Sequence, residues 1–150
     1  MKFAYVSGHL DLTPEEFEEH YVPKLQAAVE RRDWFVVGDA KGADTMTQAW
    51  LHEQQLAATV TVVCHMFGSP RNNVGNFQTV SGFVSDEARD AYMTAQSDYD
   101  IAWVRPGREE SGTAKNLARR SANALNKALD SYNKALQAVG ELLVLSLAEN

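Results

Sequence analysis

The sequence contains a single cysteine, Cys64, so no disulfide bond can form within the chain. A lone cysteine is typical of proteins in a reducing compartment, and we expect a cytoplasmic protein. Every apolar run is shorter than the roughly 18 residues of a membrane-spanning helix. The first residues, Met1-Lys2-Phe3, lead directly into a strand-like run. We therefore expect neither a membrane partner nor a cleaved leader.

Basic residues are also few. The chain has 14 lysines and arginines against 20 aspartates and glutamates, a formal net charge of −6. Duplex nucleic acid is bound through a basic stripe, so we expect no duplex partner. A small anion needs only local N–H groups and one or two cations, so a small anionic ligand stays possible. With 150 residues the chain forms one domain, which buries about two-thirds of its unfolded surface.

Short apolar runs alternate with helical patterns along the first hundred residues. Strands are predicted at residues 2–7, 34–37, 59–64 and 100–104, and helices at 14–30, 43–56 and 87–96. Strands that alternate with helices are joined by crossovers, which gives a mostly parallel sheet covered on both faces. The predicted fold is therefore α/β, a Rossmann-like three-layer sandwich. Residues 67–86 are irregular in pattern and are expected to form a long loop beside the strand ends.

The first helix has several start signals. Thr13 is a predicted N-cap, Pro14 occupies the first turn, and Glu16 completes a capping box. Pro23 is expected to kink this helix or to split it in two. The acidic run at residues 15–19 is typical of a solvated first turn, and the Cys64-His65 pair has no second pair nearby. We therefore predict no metal site and no cofactor.

The chain is organised around residues 38–44, Gly-Asp-Ala-Lys-Gly-Ala-Asp, which join an apolar strand to a helix. Free N–H groups and the positive dipole end at such a junction attract phosphate. Glycines at 38 and 42 would let the backbone approach a ligand closely. Asp39 and Asp44 have carboxylates that can accept hydrogen bonds from ribose hydroxyls. Simple capping of the helix, without a ligand, is the alternative.

Two further strand ends carry glycines, Gly8 and Gly112, and in a parallel sheet such ends meet at one crevice. This convergence favours a nucleotide site at the strand ends. The loop after residue 66 is expected to bring Arg71 or Asn72 to the same place. The predicted ligand-binding residues are Ser7, Gly8, His9, Gly38, Asp39, Lys41, Gly42, Asp44, Arg71, Arg89, Ser111, Gly112, Thr113 and Asn116.

The second half resembles the SLOG superfamily of Rossmann-like nucleotide-binding domains. The segments that carry the resemblance are residues 89–93, Arg-Asp-Ala-Tyr-Met, and residues 111–116, Ser-Gly-Thr-Ala-Lys-Asn. They are similar to the Arg-Lys-x-x-Met helix and the Pro-Gly-Gly-x-Gly-Thr-x-x-Glu turn of its cytokinin-activating phosphoribohydrolases, the lonely-guy proteins. Residues 38–44 are similar to the Gly-Gly-Ala-Arg-Gly-Ala-Asp element of YpsA-like members. The resemblance covers residues 3–122.

The resemblance implies an Arg–Glu catalytic pair, of which only the arginine, Arg89, is present. The glutamate position falls on Asn116, and an amide cannot act as a general base. Asp39, Glu109 and Glu110 are possible replacement carboxylates. Three functions stay open: a nucleotide sensor or carrier with little or no lonely-guy activity, an N-glycoside hydrolase or transferase on a nucleoside monophosphate, and a structural domain with an empty crevice.

The last part of the chain has a seven-residue apolar repeat. We therefore divide the whole chain into a Rossmann-like nucleotide-binding domain (1–122) and a C-terminal helical extension (123–150). The repeat comprises Ala118, Ala122, Leu125, Leu129, Tyr132, Leu136, Val139 and Leu143. A helix over residues 111–145 would be about 50 Å long, more than the width of such a domain. We expect it to bend back, for example at Gly140, or to pack against another subunit in a homo-oligomer, a dimer or tetramer. Packing of the whole helix on its own sheet is the alternative.

Overall fold

The computed structural model describes residues 1–57 and 60–149. A five-stranded sheet carries helices on both of its faces. The elements in chain order are β1 (Phe3–Val6), α1 (Pro14–His20), α2 (Val22–Glu30), β2 (Trp34–Val37), α3 (Ala43–Glu53), β3 (Thr61–Met66), β4 (Gln78–Phe83), α4 (Asp86–Gln96), β5 (Tyr99–Ile101) and α5 (Gly112–Ala148). The predicted α/β class and parallel sheet are confirmed. Thr59, the predicted start of β3, lies outside the described residues.

The strand order is β4-β3-β2-β1-β5, and all neighbouring strands run parallel. The chain moves outward from β1 to β4 and then returns, through α4, to place β5 on the other side of β1. The direction of winding therefore reverses between β1 and β5. In open parallel sheets the ligand crevice lies at such a reversal, outside the carboxyl ends of the strands.

Each face of the sheet has its own apolar core. Helices α1, α2 and α3 cover one face, where Val6 and Phe35 pack against Tyr21 and Leu25. Helix α4 covers the other face and packs Met93 against Tyr5 and neighbouring strand residues. The period-two alternation of these short strands sends Ala4 and Val6 to one face and Tyr5 to the other.

The helix starts follow their local signals. Thr13 and Glu16 form the predicted capping box at α1. The predicted break at Pro23 is confirmed, because α1 ends at His20 and Pro23 lies in the first turn of α2. Ser111 caps α5 through its hydroxyl, which accepts a hydrogen bond from the N–H of Ala114 at 3.2 Å.

One prediction about elements was wrong, and two of the three arrangements left open for the last helix are not found. The stretch at 67–86 is not loop throughout, because residues 78–83 form edge strand β4. None of its six residues is fully buried, and Val80 and Phe83 are its only large apolar side chains, so it lacks the apolar run that marks a buried strand. Helix α5 neither bends at Gly140 nor packs along its own sheet: it is one continuous helix, exposed from residue 121 to residue 149. None of the helices among the described residues is long and apolar enough to cross a membrane.

Candidate functional site

A cleft of about 280 Å³ lies at the carboxyl ends of the strands, where the winding reverses. Its walls come from the segment after β1, the start of α3, the start of α5 and helix α4. The lining residues are Tyr5, Ser7, Gly8, His9, Leu10, Ala40, Asp44, Arg71, Asp86, Arg89, Asp90, Arg108, Ser111, Gly112, Thr113 and Asn116. The predicted meeting of strand ends is therefore found for the segments that follow β1 and β5.

The segment after β1 presents two polar side chains to the cleft. Ser7 is 5% exposed, and its hydroxyl has no hydrogen-bond partner among the described residues. The Nε2 atom of His9 accepts a hydrogen bond from the backbone N–H of Arg105 at 2.8 Å. Burial, together with the nearby Arg108 and Arg105, lowers the pKa of His9. The lowered pKa favours the neutral His9 ring, and its Nε2 atom is occupied by the hydrogen bond from Arg105.

The start of α5 forms the opposite wall. Ser111 caps the helix, Thr113 is buried, and Gly112 is exposed. The N–H groups of Gly112 and Thr113 belong to the first turn, where an α-helix provides no acceptor of its own. A Cβ atom at Gly112 would meet no atom of the described residues within 4 Å. This helix N-terminus is therefore open to a ligand in the cleft.

The side of the cleft formed by α4 carries a cluster of charges centred on Arg89. The Nη1 atom of Arg89 donates to Asp39 Oδ1 at 2.7 Å, and its Nη2 atom donates to Asp90 Oδ1 at 3.0 Å. Asp86 lies 3.2 Å from the same guanidinium. Arg71 binds Asp39 Oδ1 and Asp86 Oδ1 through Nη2, at 2.8 and 2.7 Å. Both arginines are neutralised by carboxylates of the chain itself.

Asp39 lies behind this cluster and does not line the cleft. It is 1% exposed, and its Oδ2 atom accepts the backbone N–H of Arg71 at 2.8 Å. Burial alone would raise the pKa of Asp39, but the hydrogen bonds and charges of Arg71 and Arg89 keep that pKa below its usual value. Asp39 is therefore an ionised anchor that joins β2, α4 and the loop after β3.

Asp44, in the first turn of α3, does line the cleft. Its Oδ2 atom accepts the N–H of Ala40 at 3.1 Å. Burial raises the pKa of Asp44 to about 7, against the opposing effect of Arg89. Unlike Asp39, Asp44 can therefore carry a proton near neutral pH.

Asn116, on the second turn of α5, is buried at the edge of the cleft. Its Nδ2 atom donates to the hydroxyl of Tyr5 at 3.0 Å, and its Oδ1 atom accepts from Arg119 Nη1 at 2.7 Å. Burial and the nearby Asp90 raise the pKa of Tyr5 well above its usual value. The Asn116 amide thus links α5 to Tyr5 on β1, at the floor of the cleft, while Arg119 of the same helix binds its oxygen.

The glycines of the 38–44 turn are required by packing within the chain. Neither Gly38 nor Gly42 lines the cleft. A Cβ atom at Gly38 would meet Asp44 Oδ2 at 2.5 Å, and one at Gly42 would meet the carbonyls of His9 and Leu10. Gly42 also has a φ of +76°, which favours glycine. Packing therefore accounts for both glycines, and their close approach to a ligand stays a prediction.

The loop after β3 is held against the strand ends by a buried glutamine. Gln48 donates to the carbonyls of Gly38 and Asn72 at 2.9 and 3.2 Å and accepts the N–H of Val74 at 2.9 Å. Asn72 in turn donates to the carbonyl of Asp39 at 2.9 Å. Of the two loop residues expected near a ligand, Arg71 lines the cleft and Asn72 supports the loop.

The cleft brings together ten of the predicted residues: Ser7, Gly8, His9, Asp44, Arg71, Arg89, Ser111, Gly112, Thr113 and Asn116. Lys41 is exposed outside it, and neither of the replacement carboxylates Glu109 and Glu110 is part of its lining. The sequence reading missed Tyr5, Leu10, Ala40, Asp86, Asp90 and Arg108. Of these, Asp90 had a usable signal, because it follows Arg89 directly on the helix that carried the family resemblance.

The chain matches no protein-family model, no curated protein and no solved structure. What the cleft can do chemically therefore rests on its own residues. These supply free helix N–H groups, an unpaired buried hydroxyl, a protonatable carboxyl and arginines that are already paired.

Proposed function

We propose that this chain binds a nucleotide or nucleotide-derived anion in the cleft, as a sensor or carrier. The single observation that carries the proposal is the open N-terminus of α5, at Gly112 and Thr113, located where the sheet reverses its winding. Helix N-termini bind phosphate through backbone N–H groups and the dipole. The phosphate is assigned to this turn, and the remainder of the ligand to the Asp44 and Leu10 side of the cleft.

The unpaired hydroxyl of Ser7 supports the same proposal. An uncompensated buried hydroxyl costs on the order of 1–3 kcal/mol, and a ligand or water in the cleft would supply its partner. The SLOG resemblance supports it independently, because the segments at 89–93 and 111–116 lie on helix α4 and at the start of α5, on the two sides of the cleft. SLOG membership itself is part of the proposal.

Little or no phosphoribohydrolase activity of the lonely-guy kind is proposed. The position of the missing glutamate is Asn116, whose amide is engaged by Tyr5 and Arg119. The guanidinium of Arg89 is engaged by Asp39 and Asp90. The expected catalytic pair therefore lacks its carboxylate, while its arginine lines the cleft.

A second candidate, hydrolysis or transfer at an N-glycosidic bond, is favoured by Asp44. A carboxyl with a pKa of about 7 can protonate a leaving base near neutral pH. Asp90 is a second carboxylate in the same cleft, which gives the pair that such chemistry uses. In this alternative the replacement carboxylates are Asp44 and Asp90. They stand where the sequence predicted Asp39, Glu109 or Glu110.

Two further expectations also stand as proposals. A homo-oligomer is proposed because the exposed part of α5 carries large apolar side chains. A cytoplasmic location stays a prediction, based on the single free cysteine, Cys64.

The test uses Gly112→Val with Gly140→Val as the matched control. Both glycines are helical and have open space at Cβ, but only Gly112 lines the cleft. Titration calorimetry with adenosine, guanosine, cytidine and uridine monophosphates should detect binding of at least one of them to the parent chain and to Gly140→Val. For Gly112→Val we expect an affinity at least about tenfold lower, which corresponds to about 1.4 kcal/mol.

Equal affinity in the two variants would contradict the assignment of phosphate to α5. Absence of binding by the whole panel would favour the structural domain with an empty crevice. Release of free base from the same monophosphates, followed by chromatography, would instead favour the second candidate. Loss of that release in Asp44→Asn would then identify the acid.

A further inference from the structure

Residues 121–149, which we call the arm, are an exposed extension of α5. The arm projects from the sheet and the helices that cover it, which we call the body. At 1.5 Å per residue the arm is about 43 Å long. It carries ten large apolar side chains that are 49–77% exposed: Leu125, Leu129, Tyr132, Leu136, Val139, Leu142, Leu143, Val144, Leu145 and Leu147. Monomeric proteins rarely leave more than a few hundred Å² of contiguous apolar surface uncovered.

Part of this surface forms a regular seam, which consists of Ala118, Ala122, Leu125, Leu129, Tyr132, Leu136, Val139 and Leu143. The steps between neighbours alternate between four and three, the spacing of the core positions of a coiled coil. Thr113 and Asn116 are buried against the body, whereas Ala118 and Ala122 are exposed. Residue 118 is about 200° around the helix from residue 116, so the seam runs along the outer side of α5. A second helix can therefore lie along the whole seam without meeting the body.

The sizes of the seam residues favour an antiparallel partner. In the antiparallel register that uses every position, Ala118 faces Leu143, Ala122 faces Val139, Leu125 faces Leu136 and Leu129 faces Tyr132. Each alanine then lies opposite a larger side chain, so that the layers have similar volumes. A parallel register would place alanine opposite alanine in two layers and tyrosine opposite tyrosine in a third, which leaves voids and an overpacked layer.

The positions that flank the seam do not oppose pairing of identical chains. Between residues 121 and 135 they are occupied by Ser121, Asn126, Ala128, Asn133 and Ala135, none of which is charged. Flanking charges usually decide partner choice in coiled coils, and like charges would repel a second copy. The lysines of the arm, Lys127 and Lys134, lie on the opposite side of the helix.

We propose that a second copy of this chain covers the seam, in an antiparallel two-helix coiled coil centred between Leu129 and Tyr132. At on the order of 70 Å² of apolar surface per large side chain, the six large side chains of the seam present about 420 Å². A standard interface buries about 800 Å² per partner, of which about 65% is apolar in homodimers, so the seam with its own and its flanking alanines has close to the apolar area required. The two-fold axis makes the interface self-complementary, as in most homodimers.

The first measurement is the mass of the full-length protein in solution. Light scattering at micromolar concentration should give a mass about twice that of the 16.6 kDa chain. Tyr132→Asp, which places a charge at the centre of the seam, should raise the dimer dissociation constant by about a hundredfold or more, because each dimer loses two buried rings. Lys127→Asp, five residues away on the side of the helix opposite the seam, is the control and should remain dimeric. A monomeric mass for the parent chain overturns the proposal. It would mean that another protein or a ligand covers the seam.

The second measurement is the orientation of the two helices. Ala122→Cys and Val139→Cys chains are mixed and oxidised, and the products are identified by intact mass. Antiparallel pairing predicts a disulfide between the two different variants, formed at least about tenfold in excess of disulfides within either variant alone. The natural Cys64 does not interfere, because it is buried and burial raises its pKa to about 12.

Lys127→Cys mixed with Lys134→Cys is the matched control. These two positions lie at corresponding levels of the antiparallel pair, on the side of the helix opposite the seam. It should give no preferred cross-link. Cross-links between two copies of Ala122→Cys, and between two copies of Val139→Cys, would show a parallel pair and overturn the antiparallel register. All of these substitutions are at exposed positions, so the body should fold normally in each variant.

Discussion

The guanidinium of Arg89 on α4 lies 2.7 Å from the carboxylate of Asp39 at the end of β2. The two side chains are 6% and 2% exposed, and Arg71 binds the same carboxylate from the loop after β3. Three segments far apart in the sequence are therefore tied together at one buried anion. This relationship supports the wall of the cleft from behind.

We predict that Asp39→Asn lowers the free energy of unfolding by about 3 kcal/mol, because it removes the buried carboxylate that Arg89 and Arg71 share and leaves Arg89 paired only with Asp90 and Asp86. Urea denaturation measures the change. Asp86→Asn is the control: its side chain is 54% exposed, and an exposed ion pair contributes at most about 1 kcal/mol. An equal loss in both variants would contradict the central role of Asp39.

A second prediction concerns pH. Burial raises the pKa of Asp44 from its unfolded value near 4 to about 7. As the pH rises from 4 to 7, the unfolded chain releases this proton while the folded chain retains it, so the stability of the fold declines. Asp44→Asn removes that decline. The stability of the Asp44→Asn variant relative to the parent chain should increase between pH 4 and pH 7 and stay constant above pH 7.

The expected gain is on the order of 3–4 kcal/mol at pH 8, since each pKa unit corresponds to about 1.4 kcal/mol. Thermal unfolding of both chains at half-unit pH steps measures it. A difference between the two chains that does not vary with pH would show that Asp44 is not protonated in the fold.

A third prediction is catalytic. The parent chain should hydrolyse a cytokinin nucleotide far more slowly than about one turnover per second, because Asn116 cannot replace a glutamate. Asn116→Glu should raise the rate, and Asn116→Gln, which has the same length without the charge, should not. Product release measured by liquid chromatography decides between these outcomes. Fast turnover by the parent chain would contradict the prediction.

A fourth prediction separates the arm from the body. Truncation after Lys127 removes only residues that are exposed, among those the structure describes. The melting temperature of the body should therefore change little once both proteins are compared as monomers, whereas the oligomeric state should fall. A large fall in monomer stability would mean that the removed residues contact the body.

Much of the fold follows from local signals in the sequence. The buried strands β1 and β2 have apolar runs, and α1 has a capping box whose hydrogen bonds form as expected. Strand β4 could not be predicted in this way, because an exposed edge strand needs little apolar surface. Its pairing with β3 is a contact between distant segments.

The site was predictable in place but not in detail. The convergence of strand ends at one edge locates the cleft, and it follows from the parallel sheet that the alternation of elements predicts. The roles of Asp39 and Asp44 depend instead on burial and on contacts with Arg71 and Arg89, and these arise only in the folded chain. Gly38 and Gly42 likewise have the spacing of a phosphate loop, yet they are explained by side chains and carbonyls that pack against them.

The pairing of the cleft arginines has a consequence for how a ligand arrives. Arg71 and Arg89 are bound by carboxylates, Arg108 lies 3.4 Å from Asp11, and the chain as a whole is negative. An anionic ligand would therefore meet backbone dipoles at short range without long-range attraction. Its association should be slower than electrostatically steered binding, at about 10⁵–10⁶ M⁻¹s⁻¹, and its affinity should change little with ionic strength.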